Sequence, residues 1–229
     1  ACNVTFSGWT GTRTVSGTGT SGFNRITING TSNSINDIVE ITAANFSMAA
    51  IGIAAPSAPL VLTDGTFKLS TAATIAPFGT AAFTLAANDR FWLNHSSAIV
   101  NYPVAATFTI TAGELRIESG TFNATANVAT AINVNTGALR VTGGTLNVGS
   151  AVNNTLLLTS NAASTIQMTS GAINVAGRLA SSATGGLGVF DLSNGTITVG
   201  TAGNTTNNAL NAPFFIGSGV SYTQSGGTI

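Results

Sequence analysis

Any chemistry in this chain has to come from few side chains. Its 229 residues include seven acids, seven Lys and Arg, one histidine and one cysteine. The densest grouping is Asn88-Asp89-Arg90-Phe91-Trp92-Leu93-Asn94-His95, where a carboxylate, a guanidinium, an indole and the only imidazole follow closely on one another. Asp89, Arg90, Trp92 and His95 are the candidate ligand-binding residues, with Trp92 as a flat platform for a sugar ring. This segment is also where the internal repeat described below takes an extra residue. Such an insertion either bulges into a binding loop or packs under a longer loop, and the packed bulge is the expectation.

Other chemistries find less support. Polysaccharide hydrolysis needs paired carboxylates around one bond. Asp37, Asp64, Asp89 and Asp191 fall at different places of the repeat, which predicts that they form no cluster. Glu114, Arg116 and Glu118 alternate onto one outward face and read as a surface ion pair of small worth. No His or Cys set has zinc-ligand spacing, and the glycine-rich Asp nonapeptide that holds calcium is missing. Thr-x-Thr occurs at Thr10, Thr18, Thr107 and Thr196 but at no fixed place, and the run Gly185 to Gly188 lacks the partners of a dinucleotide fingerprint. A chain without catalytic residues, metal or cofactor is expected.

The elements that must position these residues follow from a repeat. Segments starting at Leu60, Leu115, Leu139, Ile166, Phe190 and Tyr222 align without gaps, each with glycine at its sixth place: Gly65, Gly120, Gly144, Gly171, Gly195 and Gly227. A seventh starts at Val39 with Ala44 there, and an eighth, Phe83 to Leu93, needs one inserted residue and puts Asn88 near the glycine place. Seven steps from Val39 to Tyr222 give a mean period of about 26 residues, in the range of solenoid repeats.

Places one and three are apolar, as are places eight and ten; Leu139 and Val141, then Leu146 and Val148, are an example. Spacing of two puts each pair on one face of a short strand, while the odd step between pairs demands a corner, which glycine suits. A polar stretch then follows, often holding a further apolar pair (Ile51 and Ile53, Ile132 and Val134, Leu156 and Leu158), and forms a third face. Three faces per period without helical spacing predict an all-β parallel β-helix, a β-solenoid of roughly eight coils stacked about 4.8 Å apart. Leu62, Ile117, Val141, Met168 and Leu192 are expected to form one inner row. Asn123, Asn147 and Asn174 at place nine predict an outward amide ladder.

Composition narrows the partners. The chain is 44% hydrophobic but 6% charged, with 27 Gly, 5 Pro and a formal net charge of zero. Nucleic acid and anionic membranes demand clustered cations, and the seven here are scattered. No apolar run reaches the length of a membrane span. Richness in Thr, Asn, Ser and Gly with little Lys and Glu points to an extracellular, cell-surface location. Cys2 has no internal disulfide partner, and eight Asn-x-Ser/Thr sequons, at Asn3, Asn29, Asn45, Asn94, Asn123, Asn153, Asn194 and Asn204, mark glycosylation only where the host performs it.

Residues 1–22, rich in Gly, Thr and Ser, form a linker or an imperfect first coil, and regular winding is expected over 23–229 and beyond. The last motif, Tyr222-Thr-Gln-Ser-Gly-Gly-Thr-Ile229, stops short of completion, which suggests a piece of a longer protein or an assembly edge. That segment, together with Val-Thr-Gly-Gly-Thr-Leu-Asn-Val (141 to 148), Ile-Asn-Val-Ala-Gly-Arg-Leu (173 to 179) and Phe-Asn-Arg-Ile-Thr-Ile-Asn-Gly (23 to 30), resembles the long repetitive surface proteins of Bacteroidota. Those are type IX secretion cargo and include gliding-motility adhesins; autotransporter-like filamentous adhesins share the motifs. The resemblance implies a non-enzymatic surface filament or stalk that meets polysaccharide, a substratum or neighbouring cells. Two other functions are weighed beside it: a subunit polymerising end to end through open coils, and a carbohydrate-binding or carbohydrate-active β-helix.

Overall fold

The computed structural model describes residues 2–31, 33–48, 58–79, 81–102, 105–159, 161–182, 187–203 and 212–229. Among them there is no helix, and twenty strands succeed one another along the chain. Every pairing between named strands is parallel. The chain is a β-solenoid of about 8 turns, with equivalent residues about 24 apart.

Alternating sequence builds the interior directly. On the first face, Val39, Phe67, Phe91, Leu115, Leu139, Ile166, Phe190 and Tyr222 lie one above another. Two residues on, Ile41, Leu69, Leu93, Ile117, Val141, Met168 and Leu192 form the adjoining row. All but Tyr222 are buried. The second face contributes Ile75, Val100, Phe122, Leu146, Ile173 and Ile197. Phe83, Phe108, Ile132, Leu156, Leu179 and Phe214 line the third. A flat coil has no partner for its apolar edge except the coil beside it, so stacking and burial are the same event.

The first-face row departs from the expected one at a single member: Leu69, not Leu62, stands below Leu93 and Ile117. Leu60 and Leu62 pair instead with Ile26 and Ile28. The reason is that two different corners of each coil carry the same signature. Gly120, Gly144, Gly171, Gly195 and Gly227 turn the chain from the first face to the second, whereas Gly65 turns it onto the first face, two residues before Phe67. The segment at Phe83 has the Gly65 phase too, since Phe83 and Leu85 belong to the third face and Phe91 and Leu93 to the first.

Each corner has its own steric logic. Gly120, Gly171, Gly195 and Gly227 have φ between +74° and +96°, where a side chain is strained. Gly144 is needed for space: a Cβ there would stand 2.6 Å from the carbonyl oxygen of Gly120. At the corner leading onto the first face, Gly65 has φ +120°, and in other coils the non-glycine residues Asn88, Ala112 and Thr136 take positive φ.

At the N-terminal end, Cys2–Ser7 pairs with Thr20–Asn29, and Thr12–Val15 with Ile38–Ile41. Trp9 is buried there and donates from Nε1 to the carbonyl of Gly11. Near the middle, Phe78 packs against Phe83, Phe91, Tyr102, Phe108 and Phe122, with ring centroids 4.6 to 5.8 Å apart. Ile51, Ile53, Gly185 and Asn204 lie outside the described residues.

Candidate functional site on the first face

The segment from Asn88 to His95 is not a bulged loop. Asp89 begins a continuous strand, Asp89–Asn101, and its residues up to Leu93 pair in register with Gly65 to Leu69 on one side and, from Arg90, with Glu114 to Ile117 on the other. The inserted residues lie later, at the corner His95 to Ala98, where the register against the next coil shifts. Alternation then separates the candidates. Arg90 and Trp92 face outward, Asp89 turns into the corner before them, and His95 sits at the corner after them. His95 Nδ1 accepts the backbone N–H of Ser97 at 3.2 Å and touches none of the other three through a hydrogen bond.

Trp92 belongs to an outward row on the first face: Glu40, Lys68, Trp92, Arg116, Arg140, Gln167 and Asp191, one per coil. Lys68 Nζ is 2.8 Å from Glu40 Oε1 and 4.3 Å from the Trp92 ring centroid. From the next coil the Arg116 guanidinium lies 4.5 Å from the same centroid. Because Lys68 and Arg116 come from strands on opposite sides, the indole is enclosed between two cations, and its Nε1 donates to Glu118 at 2.8 Å. A cation thus lies over the candidate sugar platform from each neighbouring coil. Each cation–π contact contributes roughly 0.5 to 2 kcal/mol, rising with desolvation.

Ion pairs join this row to the outward position two residues earlier, where Arg90 and Glu114 stand side by side. Arg90 Nε is 3.2 Å from Glu114 Oε1, and Arg140 Nε 3.7 Å from Glu114 Oε2. Arg140 also donates to Gln167, whose Nε2 donates to Asp191 at 3.1 Å. Lys68, by its hydrogen bond, holds the Glu40 carboxyl below its usual value against the opposing effect of burial. This chain of contacts is more than the isolated surface pair expected for Glu114, Arg116 and Glu118. Its signal was present in the sequence as a polar residue between the two inward ones of each coil, but it becomes a row only when Phe67 and Phe91 are placed in phase.

The aspartates also depart from expectation. Asp37, Asp64 and Asp89 gather at the corner that leads onto the first face, with exposures of 1%, 5% and 2%. Asp37 Oδ1 accepts the N–H of Gly11, and its carbonyl accepts that of Thr66. Asp89 Oδ2 accepts the N–H of Ala86, while Oδ1 of both Asp64 and Asp89 is shut from solvent without a hydrogen-bond partner. Burial pushes the Asp89 carboxyl up to about 6; the Ala86 bond opposes the rise and the nearby charge of Asp64 adds to it. Among the described residues no group of three or more His, Cys, Asp or Glu can hold a metal ion.

On the second face the amide ladder is present and begins one coil earlier than expected. Asn123 donates to Asn101, Asn147 to Asn123, and Asn174 to Asn147, at 2.8 to 2.9 Å. The first-face site therefore neutralises its own charges and the second face ties coil to coil. No protein-family model, curated protein or solved structure matches the chain. Its class rests on the winding: a parallel β-solenoid repeat protein.

Proposed function

We propose that this chain is a structural segment of an extracellular surface filament, a rigid rod that holds its outer faces toward polysaccharide, a substratum or a neighbouring cell. One observation carries it: strands of successive coils pair in parallel, coil upon coil, in one 14-stranded and one 6-stranded sheet. Such an arrangement resists bending, and its first face displays charges held in ion pairs, beside outer faces rich in Asn and Thr. Type IX secretion and gliding adhesion are the specific form of this proposal drawn from the repeat motifs.

An antibody against the chain, applied to unbroken source cells, is expected to decorate thin surface filaments and to detect a polypeptide several times this length. Labelling that appears only after lysis would overturn the proposal. A parent of about this length found in extracellular fibres would replace it with a subunit that polymerises through its coil edges, for which the exposed strand Ser221–Gln224 offers a pairing edge.

A further inference from the structure

The outer side of the third face carries a groove of about 370 Å³ between the coils of Thr130 and Phe215. Two rows build it. One runs Thr130, Thr155, Arg178, and the other Leu157, Ala180, Phe215. Ala180 is the small member between two large ones, so its methyl is the floor of a slot whose walls are Leu157 and Phe215. These walls stand two coil spacings apart, about 9.6 Å, which leaves the thickness of one ring between their surfaces. Arg178 closes the slot at one side, positioned by donation from Nε to the carbonyl of Ala212 at 3.2 Å. Burial lowers its pKa from the usual arginine value, the mark of a partly dehydrated guanidinium.

The geometry points to a binding site for an acidic saccharide, a sugar ring bearing a carboxylate. Among the described residues that line the groove, Arg178 is the charged one, and a guanidinium suits a carboxylate. Leu157 and Phe215 offer apolar surfaces to the C–H face of a ring, and the hydroxyls of Thr130 and Thr155 offer partners to its hydroxyl groups. The volume lies within the range of small-ligand sites. The alternation of sizes that makes the slot occurs at this place of the third face, since the equivalent outward residues of earlier coils are Thr84, Thr109 and Asn133. The site is independent of the surface-filament proposal, because a free β-solenoid would carry it equally.

The test is titration of the purified chain with oligogalacturonate, followed by NMR or calorimetry, beside a neutral oligosaccharide of the same length. Saturable binding of the acidic sugar is expected, at least tenfold tighter than the neutral one. Ala180→Leu fills the slot without touching charge and should weaken binding at least tenfold. Arg178→Gln should do the same, with Arg178→Lys intermediate because it keeps the charge and loses the guanidinium. Trp92→Ala, on another face, should bind as the parent does. Circular dichroism of each variant confirms that it is folded. No saturable binding at millimolar sugar, equal binding of the neutral sugar, or unchanged affinity in Ala180→Leu would each overturn the site.

Discussion

At the scale of single residues, Asp89 and Trp92 make separable claims. Asp89 is charged at neutral pH in a dry corner beside Asp64, and its folded pKa is raised to about 6. A group whose pKa rises on folding contributes stability below its unfolded value, and that contribution is lost as pH rises through the folded value. Stability measured by denaturant titration should thus fall by on the order of 3 kcal/mol between about pH 4 and pH 7, and Asp89→Asn should flatten that slope. A slope that persists in the variant would assign it to another group. Glu40 acts in the opposite window: its lowered pKa means its contribution disappears only as acid protonates it, below the range in which Asp89 titrates. Trp92→Ala removes an indole held between Lys68 and Arg116 and leaves Glu118 without its N–H donor. The expected cost is about 1 to 3 kcal/mol by denaturant titration, and Trp92→Phe should recover part of it.

At the scale of the strand and its corner, the glycine column and the amide ladder differ in kind. Gly144→Val places a branched side chain against the backbone of Gly120 and Ser119 and against the buried Ile117 side chain, and should cost several times what Asn147→Ser costs. Asn147→Ser forfeits two amide hydrogen bonds, about 1 to 2 kcal/mol in all. Equal melting temperatures would show that the corner is soft. Leu146→Ala removes a fully buried side chain of the second face and should cost about 2 to 5 kcal/mol. The strands themselves were legible in the sequence because inward pairs spaced by two are a local signal. Their stacking phase was not. Leu60-x-Leu62-x-x-Gly65-x-Phe67-x-Leu69 and Leu139-x-Val141-x-x-Gly144-x-Leu146-x-Val148 read alike, yet they turn different corners. Choosing between them depends on which neighbouring coil each meets, a long-range fact that no single segment contains.

At the scale of the whole molecule, a one-dimensional stack has a stability gradient. Interior coils are held from both sides, while Cys2–Ser7 and Ser221–Gln224 are held from one. Hydrogen exchange should therefore find the amides of Ala138–Val148 protected close to the global limit and those of Ser221–Gln224 exchanging through local opening. Uniform protection along the chain would mean that the coils unfold as one unit. The candidate site was less legible than the fold for a related reason: Asp89, Arg90, Trp92 and His95 are near in sequence, but alternation and a corner send them to different places, and the partners that enclose Trp92 come from coils on either side.

The outward row of the first face has a further consequence for how the coils find their order. Inside, one winding is nearly interchangeable with another, so a chain that skipped a turn would still bury aliphatic against aliphatic. Outside, skipping the turn of Trp92 would press Lys68 against Arg116, two like charges with no ring between them. That row serves as an address for each winding, penalising slipped pairings that the greasy interior would tolerate.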